Sequence, residues 1–209
     1  RFPKYGFFVC PESQKEKLRD AIKSKPAKKV ESSMSLTGSL PSDPYTRTES
    51  DTMGQMEVPE SALWGASTQR AVLNFPVSGF RMARSFIKAL GYIKAGAAEA
   101  NLELGVIDEK MRDAIVETAL LVANGDYDDH FPVDVFQTGS GTSTNMNANE
   151  VIANVALEII GKEKGDYDSI SALDHVNMSQ STNDTYPTAL LVGFLKEYDP
   201  LLEAIKSLS

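Results

Sequence analysis

The chain has 209 residues, 42% hydrophobic and 24% charged, which is enough to bury at least one ordinary globular core. Its formal net charge of −8 argues against nucleic acid or an anionic membrane as the main partner, because both repel an acidic protein. Cys10 is the only cysteine, so an intrachain disulfide is excluded and a reducing compartment is favoured. No apolar stretch of the sequence reaches the length of a membrane span.

The first 45 residues have no pattern that suggests chemistry. Arg1–Pro11 is compatible with one short strand, and Ser13–Ser24 with a short charged helix. Lys25–Pro44 is rich in Lys, Ser, Gly and Pro, which is typical of a linker. We therefore interpret residues 1–45 as an appendage and linker of unknown role. The chain starts with Arg and ends in an apolar helical pattern that has no stop signal, so we expect it to be a piece of a longer polypeptide.

Residues 46–80 are predicted to form loops with short elements, because Pro and Gly recur through them. Ser67–Asn74 is compatible with a short helix that presents Arg70 to a neighbouring element, although we favour a surface or structural ion-pair role for Arg70. The next segment, Met82–Leu104, has a clear helical pattern that ends at Gly105. Its predicted inward positions are Phe86, Ile87, Leu90, Ile93, Ala97 and Ala98. Alanines at 95, 97, 98 and 100 are predicted to allow close helix–helix approach.

Three further helices are predicted. Glu109–Asn124 is capped by Asp108 and ends at Gly125, with residues 115, 119, 122 and 123 facing inward. Met146–Ile160 ends at Gly161 and has residues 151, 155 and 159 on one face. Ala189–Ser209 follows Pro187, which suits a first helical turn, and Pro200 is expected to kink or interrupt it. The fold class is therefore mainly α.

The most informative stretch is Phe131–Glu150, FPVDVFQTGSGTSTNMNANE. Between Thr138 and Asn149 almost every residue is Gly, Ser, Thr or Asn, and a helix follows. A helix N-terminus carries partial positive charge, so this loop is predicted to hold a carboxylate or phosphate without Lys or Arg. The alternative is an ordinary Ser/Thr turn with an N-cap and no ligand. The Gly-Lys-Ser/Thr ending of a nucleotide P-loop is missing.

A second polar cluster, DHVNMSQSTNDTYPT at residues 174–188, precedes the last helix. Two donor-rich loops that each lead into a long helix would converge well on a small anion with several carboxylate oxygens. We therefore favour a binding site over two independent caps.

Residues 126–130, DYDDH, superficially suggest metal ligands. The carboxylates are close together in sequence and His130 has no second histidine nearby, so a solvated loop is the better interpretation. We predict no metal site.

Longer motifs give a resemblance to a known family. These are the two clusters, with their most specific parts at Phe131–Glu150 and Gln180–Thr188, together with Asp51-Thr52-Met53-Gly54, Ala62-Leu63-Trp64-Gly65-Ala66, Thr68-Gln69-Arg70-Ala71 and Asn74-Phe75-Pro76. In this order they resemble the fumarase/aspartase superfamily, and most of all its class II, iron-independent fumarases. The resemblance covers about Thr46 to Ser209.

The resemblance implies a homotetramer built around a long-helix bundle, with active sites shared between subunits and with no cofactor. It implies reversible anti elimination from a small dicarboxylate: water from malate, or ammonia from aspartate. By position, Ser140, Gly141 and Thr142 resemble the first substrate-binding segment, and Ser181, Thr182 and Asn183 the second. Residues 46–178 would form a small mixed N-terminal lyase domain, and 179–209 the start of the central long-helix bundle.

The chain also departs from the family pattern. Ser171, Ala172, Leu173 and Asp174 stand where fumarases usually carry His-Pro-Asn-Asp, a secondary carboxylate site; only Asp174 matches, which argues against a working second site. Ser181-Thr182-Asn183 and Gly161–Tyr167 are more typical of aspartases, whereas Thr138–Thr142 is typical of fumarases. The family's Gly-Ser-Ser loop with Met-Pro-x-Lys-x-Asn, which carries the catalytic base, does not occur in these 209 residues, and neither does its Gly-Arg-Thr-His-type segment.

We therefore expect the N-terminal part of a fumarate hydratase that is inactive by itself and whose catalytic base is unknown from this chain. The alternatives are an aspartate ammonia-lyase and a non-catalytic assembly or binding module. The expected location is the cytoplasm, with the mitochondrial matrix left open.

Overall fold

The computed structural model describes residues 44–208. It begins with an antiparallel hairpin of β1 (Thr46–Asp51) and β2 (Gly54–Pro59), with Asp51 paired to Gly54. Sequence analysis identified no strands here, because the alternation between buried and exposed residues is weak. Only Glu49 of β1 and Val58 of β2 are buried. The predicted strand at Arg1–Pro11, the predicted helix at Ser13–Ser24 and nearly all of the predicted linker lie outside the described residues.

Three helices follow with boundaries close to those predicted: α1 (Ala66–Asn74), α2 (Arg84–Glu103) and α3 (Glu109–Asn124). The α3 boundaries are as predicted, since the Asp108 carboxylate accepts a hydrogen bond from Met111 N at 2.8 Å and Gly125 ends the helix with φ +97°. The close contact of α2 with α3 falls at Gly91, where a Cβ would lie 2.6 Å from the Ala119 carbonyl oxygen. Of the four alanines predicted to allow it, Ala95 and Ala98 are buried.

Helix α4 (Thr142–Ile159) is the central helix of the described fold. It begins one turn earlier than the predicted Met146, so part of the first polar cluster is helical. Val151 and Val155 are buried as predicted, whereas Ile159 is exposed. The helix is buried on nearly all sides, because every residue from Asn147 to Leu157 is buried.

Helix α5 (Thr182–Leu208) is one continuous helix. The predicted start near Pro187 is wrong by more than a turn, and Pro200 does not interrupt the helix. Its buried residues, Thr185, Ala189 and Gly193, are four apart and form one stripe. At Gly193 a Cβ would lie 3.3 Å from the Ser85 carbonyl oxygen, so this stripe packs on the start of α2. The predicted domain boundary at 178/179 stays a prediction.

Within residues 44–208, no helix combines the length and apolarity that crossing a membrane requires. The hydrophobic core contains Trp64 together with Leu90 of α2, Ile115 of α3, and Ile152 and Leu157 of α4. Helices α4 and α5, whose starts carry the two polar segments, contribute residues to this core, among them Ile152 and Ala189.

Candidate functional site

The first predicted binding segment lies in the loop that enters α4. Gly139 and Gly141 have φ of +75° and +77°, a region that other residues rarely adopt. The Ser140 and Thr142 hydroxyl oxygens lie 3.0 Å apart, and both residues are exposed. Gly141 provides no side-chain cap for α4.

Gln137, rather than a loop hydroxyl, ties down the start of α4. Its Oε1 accepts a hydrogen bond from Thr144 N at 2.8 Å, and its Nε2 contacts the Thr144 hydroxyl. The Thr144 N–H, in the first turn of α4, has no partner within the helix and is therefore satisfied by the side-chain amide oxygen of Gln137. The Ser140 and Thr142 hydroxyls are not used as caps and face outward, which is the opposite of what the simple N-cap interpretation expected.

The second predicted segment forms the start of α5. The Ser181 carbonyl accepts from Thr185 N at 2.9 Å, and its hydroxyl accepts from Asn183 N at 3.2 Å. Ser181 therefore has a local role in the helix start as well as an exposed side chain. Thr182 is half-buried and Asn183 is exposed. Helix capping therefore accounts for the presence of Ser181 in this segment. The exposed Asn183 side chain remains available to contact a ligand.

The two segments lie beside each other in one chain. Asn145 of α4 donates from Nδ2 to the Thr182 hydroxyl oxygen at 3.0 Å. Gly141 faces the ring of Tyr186, and a Cβ at Gly141 would come within 2.1 Å of the ring carbon Cδ2. The starts of α4 and α5 are therefore in direct contact. Substrate binding by the six predicted residues stays a prediction, but the geometry allows both segments to face one small ligand.

A buried polar cluster that sequence analysis missed lies beneath these segments. Asn177 Oδ1 accepts hydrogen bonds from Lys94 Nζ at 3.1 Å, from Asn145 Nδ2 at 3.0 Å and from Asn149 Nδ2 at 3.1 Å. Lys94 Nζ also donates to Gln180 Oε1 at 2.9 Å. We call these five residues the amide cluster.

Lys94 is the unusual member of the amide cluster. Its side chain is fully buried, and burial lowers the pKa of its ammonium to about 7. A signal for it does exist in the sequence: Lys94 falls between Leu90 and Ala98 on the stripe of α2 that is predicted to face inward. A lysine at such a position is costly to bury and is therefore a candidate for function.

The predicted secondary carboxylate segment, Ser171–Asp174, begins a π-helical turn at Ala172–Val176. The Ser171 hydroxyl accepts from Leu173 N and Asp174 N and donates to Asp174 Oδ2 at 3.1 Å. Ala172 is buried and Leu173 offers no polar atom on its side chain. The donors here are used within the turn. The weakness of a secondary carboxylate site in this segment stays a prediction.

The DYDDH segment forms structural contacts. Asp128 pairs with Arg84 at 2.8 Å, and His130 Nδ1 accepts from Leu63 N at 3.3 Å. Burial lowers the pKa of His130, which favours the neutral imidazole that accepts this bond. Across the described residues, no group of three or more His, Cys, Asp or Glu side chains is arranged to hold a metal ion.

Glu150, at the end of the first cluster, anchors α4 to α1. Its carboxylate accepts from Gly65 N at 3.0 Å, Ser67 N at 2.9 Å and Thr68 N at 3.1 Å. Burial raises the pKa of Glu150, and the three N–H donors at the start of α1 oppose that shift. The preference of the α1 N-terminus for an anion is thus satisfied by a residue of the protein itself.

A family model described as lyase matches residues 54–209, about three quarters of the chain. The chain belongs to this lyase family. This match, together with the relatives and solved structures that follow, confirms the fumarase/aspartase resemblance inferred from the sequence motifs.

Curated members of this lyase family include two with different reactions in their names. The chain is 55% identical over 160 residues to the class II fumarate hydratase of Halobacterium salinarum, covering 77% of the chain and 33% of the relative. It is 49% identical over 160 residues to an aspartate ammonia-lyase of a Bacillus species, covering 77% and 34%. The chain thus spans about a third of the length of the curated relatives it matches.

Solved structures of the lyase family share the fold. A fumarate lyase:delta crystallin from Brucella melitensis matches with a TM-score of 0.71 and 46% identity, over 72% of this chain and 36% of that one. The class II fumarase from Schistosoma mansoni matches with a TM-score of 0.65 and 38% identity, over 72% and 32%. The predicted mainly α fold with a small mixed N-terminal part is confirmed.

Proposed function

We propose that the complete polypeptide containing this chain is a fumarate hydratase, which adds water reversibly to fumarate in the anti sense and gives malate. The observation that supports it most directly is the contact between the two donor-rich helix starts through the Asn145–Thr182 hydrogen bond. That contact allows neutral donors from both segments to bind one small dicarboxylate. Fumarate hydratases among the relatives at 52–55% identity support the same reaction.

The proposed binding residues are Ser140, Gly141 and Thr142 on the first segment and Ser181, Thr182 and Asn183 on the second. Removing a proton next to a carboxylate in the malate-to-fumarate direction creates an aci-carboxylate with additional negative charge. Hydroxyl, amide and backbone donors that are fixed before the reaction stabilise such charge without reorganisation. A general base must also lie within hydrogen-bond reach of the proton, and neither segment has an obvious one.

Aspartate ammonia-lyase is the second candidate. Ser181-Thr182-Asn183 favours it, as does the Bacillus relative at 49% identity. The two reactions share the dicarboxylate skeleton and the proton removal, and they differ in the leaving group. The amino group of aspartate is cationic at neutral pH, whereas the hydroxyl of malate is neutral, so the specificity depends on residues near the leaving group.

We further propose a homotetramer that works in the cytoplasm as an enzyme of the tricarboxylic acid cycle. Exposed apolar side chains along α5 support an assembly of long helices. They are Leu190, Leu191, Phe194, Leu195, Tyr198, Leu201 and Ile205. Burying such a face is the main favourable term in subunit association.

We expect the complete polypeptide to consume fumarate and the 209-residue chain alone to be inactive, because the chain lacks the motifs that carry the family's catalytic base. The measurement is the change in fumarate absorbance on addition of either protein, with malate and aspartate tested in the reverse direction. Turnover of malate without turnover of aspartate supports the hydratase. The reverse pattern supports the ammonia-lyase, and activity of the 209-residue chain would contradict the missing-base argument.

A further inference from the structure

Lys94 occupies a buried position at which an apolar residue would make the folded state more stable. Its side chain is fully buried in the middle of α2, so its ammonium cannot extend to solvent as most lysines do. Its hydrogen-bond partners are the neutral amide oxygens of Asn177 and Gln180 rather than carboxylates. A buried charge without a counter-charge lowers stability, and a Leu or Met would fill the same space without that cost. Departures of this kind are expected where function requires them.

The contacts of Lys94 lead to the predicted substrate-binding segment by two routes. One route is direct along the chain, since Gln180 immediately precedes Ser181. The other is a series of hydrogen bonds from Lys94 to Asn177 Oδ1, from Asn145 to the same oxygen, and from Asn145 to the Thr182 hydroxyl.

The Asn145–Thr182 bond determines which role the Thr182 hydroxyl can take. Because its oxygen accepts the bond from Asn145, its hydrogen is free to point toward a ligand carboxylate. A threonine hydroxyl that accepts one bond becomes a better donor through cooperativity along the chain. Lys94 Nζ and Asn145 Nδ2 both donate to Asn177 Oδ1, so this shared acceptor holds the Asn145 amide in the orientation from which it also donates to Thr182.

We propose that Lys94 is a positioning residue for the carboxylate-binding segment 181–183, acting through the amide cluster to fix the Thr182 hydroxyl as a donor. The inference rests on the function proposed above. It adds a residue on α2, far from both polar loops in sequence, to the set that determines dicarboxylate affinity and turnover. Lys94 does not itself touch the substrate.

A double-mutant cycle in the complete polypeptide tests the inference, with Lys94→Met, Thr182→Val and the double variant. We expect Lys94→Met to lower kcat/KM about tenfold in the wild-type background, and to have an effect of less than about twofold when Thr182 is already Val. Equal losses in both backgrounds would overturn the proposal, because they would show that Lys94 does not act through Thr182. The matched control is Lys88→Met, which removes a lysine from another face of the same helix and leaves kcat/KM unchanged.

A second readout does not depend on activity. Hydrogen exchange of the backbone amides at 177–186 is expected to be faster in Lys94→Met than in the wild type or in Lys88→Met, and no change there would overturn the proposal. If the wild type turns over none of the three substrates, the proposed function fails, whereas the exchange result still decides on Lys94. Lys94→Gln keeps one amide donor and is the variant to use if Lys94→Met does not fold. If neither variant folds, Lys94 is a core residue only and the proposal fails.

Discussion

Replacing Gly141 by Ala in the complete polypeptide is expected to lower kcat/KM for fumarate about 100-fold. A displacement of roughly 1 Å in an active site produces an effect of this size. The new Cβ would come within 2.1 Å of Tyr186 Cδ2 and 2.4 Å of its Cγ, so the loop or the ring must move. Tyr186 cannot move freely, because its ring also packs against Phe86 with 4.9 Å between centroids. The strain therefore displaces the loop that carries Ser140 and Thr142. Steady-state kinetics with fumarate measures the loss.

Gly139→Ala is a matched control two residues away. Its φ of +75° is nearly that of Gly141, so an alanine there has a similar backbone strain of about 1–2 kcal/mol. No heavy atom lies within 4 Å of its new Cβ. We expect Gly139→Ala to retain most of the activity. If the two variants lost activity equally, backbone strain rather than the Tyr186 contact would explain the effect, and the contact between the loop and α5 would lose its proposed importance.

Replacing Glu150 by Gln is expected to reduce the free energy of unfolding by about 3 kcal/mol, the size of losing a hydrogen bond to a buried charged group and leaving its partner unsatisfied. The carboxylate accepts from three N–H groups at the start of α1. An amide has one acceptor oxygen, so its NH₂ group would face an N–H donor in either orientation. Chemical denaturation followed by circular dichroism measures the loss.

Glu158→Gln provides the control, because Glu158 lies on the same helix α4 but is exposed. Exposed substitutions of this kind change stability by less than about 0.5 kcal/mol. An unchanged denaturation midpoint for Glu150→Gln would show that the amide is accommodated by rearrangement of α1, and Glu150 would then not be the main anchor between α1 and α4.

In the proposed function, the contact between the two polar segments is more important than either segment alone. Each start of a helix is by itself a weak anion site, and capping explains part of what Ser181 does. The contact of α4 with α5 makes a common binding surface possible. Lys94 lies on α2, so under our proposal a third helix supports the same surface from within the core.

The sequence by itself determined the helix boundaries that are set by neighbouring residues. Asp108 and Gly125 define α3 because a cap and a left-handed stop act within a few residues of the helix end. The donor content of the two polar clusters was visible for the same reason. The order of the motifs was also sufficient to indicate the lyase family.

Only the tertiary structure decided which buried polar atoms meet. Lys94 and Asn177 are 83 residues apart, and Glu150 and Gly65 are 85 apart, so no local pattern pairs them. The early starts of α4 and α5 are supported by different hydrogen bonds: Gln137 Oε1 accepts from Thr144 N in the first turn of α4, and Asn145 Nδ2 donates to the Thr182 hydroxyl at the start of α5. These bonds stabilise first turns whose own sequence favours a loop. Hydrogen bonding between distant residues competes with local propensity, and burial makes an unpaired polar group costly enough for the distant partners to prevail.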